Sequence, residues 1–191
     1  MLVPIALTFE AGGDPNVSAS MLDILKTHNV TSTIFLYGSW AQMNPDLVKR
    51  MSTEGHELGN HTYNHLNLTK LDKPTIRAEL RRTDEVARQL TGKPAHPWLR
   101  PPYSAVDERV EAIVNTVRFR IVCRDAIDGR NWPEKANPNT VCERTLQNAA
   151  ENSIFTYHLS SPITLKVLPK ILTSLQNTGY TLVSLSQLMP L

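Results

Sequence analysis

The stretch STIFLYGSWAQMNPDLVKRMSTEGHELGNHTYNH, residues 32–65, contains two strand candidates separated by a helix candidate. STIFLY (32–37) and HELG (56–59) are short, largely apolar runs of strand length. Between them, Asn44 is placed as a helix N-cap, Pro45 occupies the first helical position and Gly55 ends the segment. A strand, a helix and a second strand in this order predict a unit of a parallel sheet.

The same alternation continues through the rest of the chain. A second helix, with similar capping and terminating residues, is predicted from Asp72 to Gly92. About seven strand–helix repeats predict an α/β fold with a parallel sheet, which can close into a distorted (β/α)7-8 barrel; an open doubly wound sheet is the alternative. The remaining strand candidates are VPIALTF (3–9), PWLR (97–100), FRIVCR (119–124), SIFTYH (153–158) and YTLVSL (180–185).

Composition narrows the classes of function. The 191 residues suit one domain, 1–191, with a substantial core. A formal net charge of +2, without basic runs interleaved with aromatics, disfavours nucleic acid as a partner. No apolar stretch reaches the roughly 18 residues of a membrane span. MLVPIALTF lacks a basic start and predicts a strand rather than a signal peptide, so a secreted protein would already have lost its signal. We expect a monomer.

Chemically capable side chains follow the predicted strands at their carboxyl ends. These ends meet at one face of a parallel barrel or sheet, where active sites lie. Six histidines leave room for an accidental pair four residues apart, but the position of this pair after a strand favours metal ligands. The side chains at the strand ends are Glu10, His61, His65, Arg100, Tyr103, Asp125, Asp128 and His158.

These residues lie in motifs that resemble those of the polysaccharide deacetylases of the NodB-homology type, carbohydrate esterase family 4. LTFEAGG is similar to the first motif, usually Thr-Phe-Asp-Asp-Gly, and HTYNH to the His-x-x-x-His metal motif. LRPPYS matches the Arg-x-Pro-Tyr motif, SIFTYH the strand ending in the catalytic histidine, and LPKILTSLQNTGYTLVSLSQL the closing helix and strand. The resemblance covers nearly the whole chain. It implies a distorted (β/α) barrel and metal-dependent hydrolysis of an N-acetyl or O-acetyl group on a carbohydrate.

The resemblance implies one divalent transition metal, with zinc expected first and cobalt or a similar ion as alternatives. His61 and His65 would be its ligands. The family's second aspartate is a further ligand, but Ala11 stands there in this chain. A branch acting on peptidoglycan resembles this chain in carrying an acid three positions later, where Asp14 lies. Asp14 would complete the coordination, leave that to water, or cap the following helix.

The resemblance also implies catalytic roles. Glu10 would be the general base, although it is one methylene longer than the usual aspartate. Arg100 would orient that base, with Asp128 as the partner of its guanidinium. His158 would be the general acid. Two further positions would face the substrate: the backbone N–H of Tyr103 at the oxyanion and Trp132 along the sugar groove.

Three functions compete at this point. The first is deacetylation of a polymer such as chitin oligomers, peptidoglycan or acetylxylan, at the cell envelope or outside the cell. The second is sugar binding without hydrolysis, because Glu10 and Ala11 change both the base and one ligand. The third is hydrolysis of a small amide in the same barrel. Cys123 and Cys142 would either pair or remain free thiols.

Overall fold

The structure, a computed structural model, describes residues 3–123, 126–129 and 137–190, with Asp128 described by its backbone alone. Strands and helices alternate along these residues, as the sequence predicts. In chain order the elements are β1 (Val3–Ala11), α1 (Pro15–Thr27), β2 (Thr33–Leu36), α2 (Gly38–Met43), α3 (Pro45–Thr53), β3 (Glu57–Asn60), α4 (Lys73–Thr91), β4 (Trp98–Leu99), α5 (Glu108–Thr116), β5 (Arg120–Ile121), β6 (Ala126–Asp128), α6 (Pro138–Gln147), β7 (Ile154–His158), α7 (Pro162–Asn177), β8 (Tyr180–Leu182) and α8 (Leu185–Leu188).

The strands form one parallel sheet in the order β5-β4-β3-β2-β1-β7-β6, with β8 added to β1. Apart from β8, neighbours in the sheet follow a single circuit, without the reversal that defines a doubly wound sheet. Within the described residues, no pairing joins the two edge strands β5 and β6. The predicted distorted barrel is therefore confirmed, as a curled sheet that is open at this seam.

Alternation along β1 separates the barrel interior from the helical layer. Ile5, Leu7 and Phe9 are fully buried and pack in the large outer cluster with the helices. Ala6 instead belongs to a smaller inner cluster, and Glu10, four residues later, lines a cavity. The inner cluster consists of Ala6, Phe35, Trp98, Val122, Ile154 and Leu185.

The end of the barrel opposite this cavity is closed by the last part of the chain. β8 pairs with the first residues of β1, and Ser184 then caps α8 in a reciprocal bond pattern with Gln187. Ser186 on α8 bonds the carboxylate of Glu57, which also accepts the indole N–H of Trp98 at 3.0 Å. The strand predicted over 180–185 thus ends early, because the capping sequence starts a helix.

The two predicted helices are confirmed as α3 and α4. α4 begins after Asp72, whose carboxylate accepts the Thr75 N–H, and ends at Gly92 with φ +73°. The sequence missed the short strand β6. Among the described residues, no helix is long and apolar enough to cross a bilayer. Cys123 and Cys142 are both free of disulfide bonds.

Candidate active site

The carboxyl ends of five strands, β1, β3, β4, β5 and β7, converge on one cavity of about 550 Å³. β1 contributes Glu10, and β7 contributes His158, which lies beside it in register. The turns after β3 and β4 contribute the remaining polar groups. Six of the residues that the sequence places in the site line this cavity: Glu10, His61, His65, Arg100, Tyr103 and His158.

Glu10 lies at the centre of this group, with its side chain 16% exposed. Its Oε2 is 3.3 Å from Nε2 of His158 and 3.7 Å from Nε2 of His61. Its Oε1 is 3.7 Å from Nη1 of Arg100. Burial raises the pKa of Glu10, but electrostatic interaction with the surrounding basic side chains outweighs this effect, and the net pKa lies below its ordinary value. These side chains are His61, Arg100, His158 and His65. Glu10 is therefore a carboxylate at neutral pH.

His61 is 4% exposed, and its ring is held by the backbone that follows the neighbouring strand β4. Its Nδ1 lies 2.6 Å from the carbonyl oxygen of Arg100, which can only accept, so Nδ1 carries the proton. Nε2 is then unprotonated and directed toward Glu10. Burial lowers the pKa of His61 to about 4, and the ring is neutral at pH 7. Neutral imidazole with its second nitrogen donating to a carbonyl is the form that binds metals.

His65 lies next to it, with 4.9 Å between the two ring centroids. Its Nδ1 is 3.3 Å from the Tyr103 hydroxyl, and burial lowers its pKa as well. Two neutral imidazoles beside a carboxylate fit the ligand preferences of a zinc-type ion. In the described part of the chain, no three His, Cys, Asp or Glu side chains converge as a complete ligand set. The protein's contribution to such a site thus centres on these two rings.

Arg100 is 2% exposed, and two of its three guanidinium nitrogens donate hydrogen bonds. Its Nε donates to the carbonyl of Val122 at 3.2 Å, and Nη2 donates to the Thr8 hydroxyl at 2.9 Å. The plane stacks on the Phe35 ring at 4.1 Å. Burial lowers the pKa of Arg100 to about 10, so it remains the fixed cation beside Glu10 at neutral pH.

Its expected partner Asp128 lies at the end of β6, opposite Thr156 of β7. The side chain of Asp128 is outside the described part of the chain, as are all of Asp125 and Trp132. Their roles therefore stay predictions. Within the described residues, Nη1 of Arg100 has no hydrogen-bond partner.

Tyr103 projects over the cavity mouth and is 70% exposed. Its ring meets that of His65 edge-on, with 4.9 Å between centroids. Tyr103 and Ser104 both adopt left-handed backbone conformations, with φ of 61° and 51°. Such conformations in non-glycine residues cluster at functional sites. The oxyanion role of the Tyr103 N–H stays a prediction.

The turn after β1 differs from the expectation for a ligand-bearing motif. Ala11 is 1% exposed and packs in the large apolar cluster. Asp14 is exposed, and its Oδ1 accepts the Asn16 N–H at 2.8 Å as the N-cap of α1. Asp14 is not among the residues that line the cavity. Of its possible roles, the geometry supports the cap.

Sequence reasoning overlooked several residues that build this site. Thr8 buries its hydroxyl between Arg100 and the carbonyl of Phe155, where no spacing rule points to it. Cys123 and Thr156 also line the cavity, although both follow from the strand-end rule once β5 and β7 are recognised. The remaining histidines lie outside the cavity lining: His56 accepts the Ser32 N–H, His96 packs edge-on against Phe119, and His28 is the C-cap residue of α1.

Known proteins are similar to this chain in sequence. The family model described as Polysaccharide deacetylase matches residues 3–122. The peptidoglycan-N-acetylglucosamine deacetylase of Bacillus cereus is 34% identical over 186 residues, which is 95% of this chain and 66% of that protein. The peptidoglycan-N-acetylglucosamine deacetylase PgdA of Listeria monocytogenes is 33% identical over 184 residues, 96% of this chain and 38% of that protein. This chain therefore spans less than two thirds of either relative.

Solved structures agree with the sequence matches. The crystal structure of the Bc1960 peptidoglycan N-acetylglucosamine deacetylase, in complex with a naphthalenyl N-oxidanyl-benzamide, superimposes with a TM-score of 0.90 at 33% identity. The match covers 97% of this chain and 87% of that one. With the family model matching well over half of its residues, this chain belongs to the polysaccharide deacetylase family.

Proposed function

We propose that this protein is a metal-dependent hydrolase that removes N-acetyl groups from a carbohydrate polymer, with the N-acetylglucosamine of peptidoglycan as its first candidate substrate. The observation that carries the proposal is the arrangement around Glu10: two neutral imidazoles, a buried guanidinium and His158 surround one carboxylate at the floor of an open cavity. The substrate class is supported by the relatives, which are named for that activity. Such a substrate places the site of action at the cell envelope.

His61 and His65 would hold the divalent ion, and zinc suits their nitrogens. When bound there, the ion would supply Lewis acidity, polarising the acetyl carbonyl and making water a stronger acid. The binding site itself depends on both rings being uncharged, and burial keeps them so at neutral pH.

Hydrolysis then needs two proton transfers. Glu10 accepts a proton from the water that attacks the acetyl carbon, and Arg100 keeps its carboxylate ionised and oriented. The C–N bond breaks after the tetrahedral stage, and His158 gives its proton to the leaving amine. The Tyr103 N–H would stabilise the oxyanion in between. The products are acetate and a free amino sugar.

A second candidate function is sugar binding without hydrolysis. It is favoured by the first motif alone, where Ala11 supplies no ligand and Glu10 is longer than the family's usual base. The cavity and the exposed Tyr103 ring would still offer a surface on which a sugar can pack.

One experiment separates the two functions. The purified protein is stripped of metal, reloaded with zinc or cobalt, and incubated with peptidoglycan, chitin oligomers or acetylxylan while acetate is measured. We expect acetate release that depends on metal and is greatest with peptidoglycan. Binding of these polymers without acetate release from any of them, in protein shown to contain metal, would establish the sugar-binding function instead.

A further inference from the structure

The turn that carries the two imidazoles has an unfavourable backbone. Thr62 has φ of 62° and His65 has φ of 56°, both in the left-handed region although neither is glycine. L-residues avoid this region because Cβ crowds the backbone carbonyl. The turn 61–65 therefore cannot be stabilised by local preference alone, and groups outside it must hold it.

Glu79, in the middle of α4, lies under this turn and is 4% exposed. Its Oε2 accepts the backbone N–H of Tyr63 at 3.0 Å and that of Asn64 at 2.7 Å. Its Oε1 accepts the side-chain amide N–H of Asn64 at 2.6 Å. All three donors come from the two residues directly before His65.

A buried carboxylate is costly unless its lone pairs are satisfied. Within the described residues, no cation forms an ion pair with Glu79, and the three groups that donate to its carboxylate are neutral N–H groups. Hydrogen bonds to an ionised acceptor are stronger than neutral ones. A glutamine here would be a weaker acceptor, because it carries no charge and its NH₂ group would require the Asn64 side-chain amide to turn over.

The first half of the turn is held differently. Asn60 accepts the Thr62 N–H at 2.9 Å and donates to the Leu80 carbonyl, and the Gly38 N–H donates to the Thr62 carbonyl. These neutral bonds fix the chain near His61. Among the described side chains, only the Glu79 carboxylate accepts the backbone N–H groups of Tyr63 and Asn64. Other contacts of this segment go to the Tyr63 carbonyl, which accepts the Ser39 N–H at 3.0 Å, and to the Tyr63 side chain, which meets Gln42 and Arg82.

We propose that Glu79 is a positioning residue that sets His65 against His61 for metal binding. The inference rests on the proposed function in one respect, since it assumes that the two imidazoles hold an ion. It adds a group that neither the motifs nor the cavity lining identifies, because Glu79 touches the backbone of the turn rather than the cavity.

The test compares the zinc affinity of the wild type, Glu79→Gln and a matched control, measured by competition with a chromophoric chelator. The control is Glu85→Gln, on the same helix but exposed and paired only with Arg81 at 3.7 Å. We expect Glu79→Gln to weaken zinc binding by about 10–100-fold, the usual effect of losing an outer-shell partner. Glu85→Gln should leave the affinity within about twofold, since exposed pairs contribute little. Equal affinity in folded Glu79→Gln would overturn the proposal.

Hydrogen exchange in the metal-free protein gives a readout that needs no metal. In the wild type, the Tyr63 and Asn64 amides should exchange at least about 100-fold more slowly than in an unstructured peptide. Rapid exchange at both would overturn the proposal, even if Glu79→Gln failed to fold. In folded Glu79→Gln, which loses the charge on the acceptor, protection should be reduced at these two amides and kept at Glu57, whose N–H donates to the Ser32 carbonyl at 3.0 Å. If the wild type binds no zinc, but Tyr63 and Asn64 exchange slowly in it and faster in Glu79→Gln, the proposed function would be refuted. The role of Glu79 in holding the turn would remain.

Discussion

Two turns approach the same cavity, and they are built in opposite ways. The turn after β3, residues 61–65, presents both imidazoles and is held by buried polar side chains from β3 and α4. The turn after β1, residues 11–14, begins with an alanine in the apolar cluster and ends with an exposed helix cap. None of residues 11–14 lines the cavity, which Glu10 reaches from the last part of β1.

The difference assigns separate tasks to the two turns. The β3 turn is held in an unfavourable backbone conformation by buried charged and amide groups. Burying such groups costs free energy, so we expect this arrangement where the rings that the turn carries must be placed accurately. The β1 turn directly follows the single carboxylate of Glu10, and its first residue, Ala11, packs in the apolar cluster. We therefore expect metal binding to depend on the β3 turn and the rate of hydrolysis to depend on Glu10.

The largest expected effect is loss of the metal from His61→Ala. With two imidazoles as the core of the ligand set, removing one leaves an ion poorly held. Elemental analysis after zinc loading and dialysis should show close to stoichiometric metal in the wild type and little in the variant. His28→Ala is the control, because His28 lies at the end of α1, away from the cavity. Full metal content in His61→Ala would mean that the β3 turn is not the metal site.

The second expected effect concerns Glu10 and the rate. Glu10→Gln keeps the size of the side chain but removes the base, and acetate release should fall by about 10²–10⁴-fold. Metal content should remain, which separates the two turns. Glu10→Asp restores the family's usual residue, and we expect it to preserve or raise the rate. A rate indifferent to Glu10→Gln would place the base elsewhere.

The third prediction concerns whether a carboxylate at position 11 can bind the metal ion. Ala11→Asp places a carboxylate at a position that is 1% exposed among apolar side chains. Without metal, such a charge should lower the melting temperature. If the carboxylate reaches the ion, zinc should raise the melting temperature of Ala11→Asp by more than it raises that of the wild type. Ala11→Asn controls for size, and an equal zinc response in the two variants would show that position 11 faces away from the site.

The sequence predicts the parts of this molecule that follow from local chemistry. The capped helix α4, the strand β1 and the clustering of Glu10, His61 and His65 at strand ends all follow from periodicity, caps and the geometry of parallel sheets. The family motifs add Arg100 and His158, which also line the cavity.

Long-range contacts could not be predicted in this way. Glu79 is one of several glutamates on or near helices, and only the packing of α4 against β3 brings it under the turn. The position of α8 against the barrel likewise depends on Ser186 meeting Glu57, more than a hundred residues away. The sequence leaves the role of Asp14 open for a related reason, since a carboxylate that can bind a metal ion can also cap a helix.

The smallest expected effect distinguishes these two roles of Asp14. Asp14→Ala removes the acceptor for the Asn16 N–H and should cost about 0.5–2 kcal/mol of unfolding free energy, measured by denaturant titration. Asp14→Asn keeps a good cap while removing the charge, so its stability should match that of the wild type. Zinc affinity should stay within about twofold in both variants, because an exposed cap outside the cavity makes no contact with the ion. A several-fold loss of affinity in Asp14→Asn, with stability unchanged, would show that the carboxylate reaches the metal. The β1 turn would then carry a ligand three residues beyond Ala11, and the contrast between the two turns would reduce to one of position.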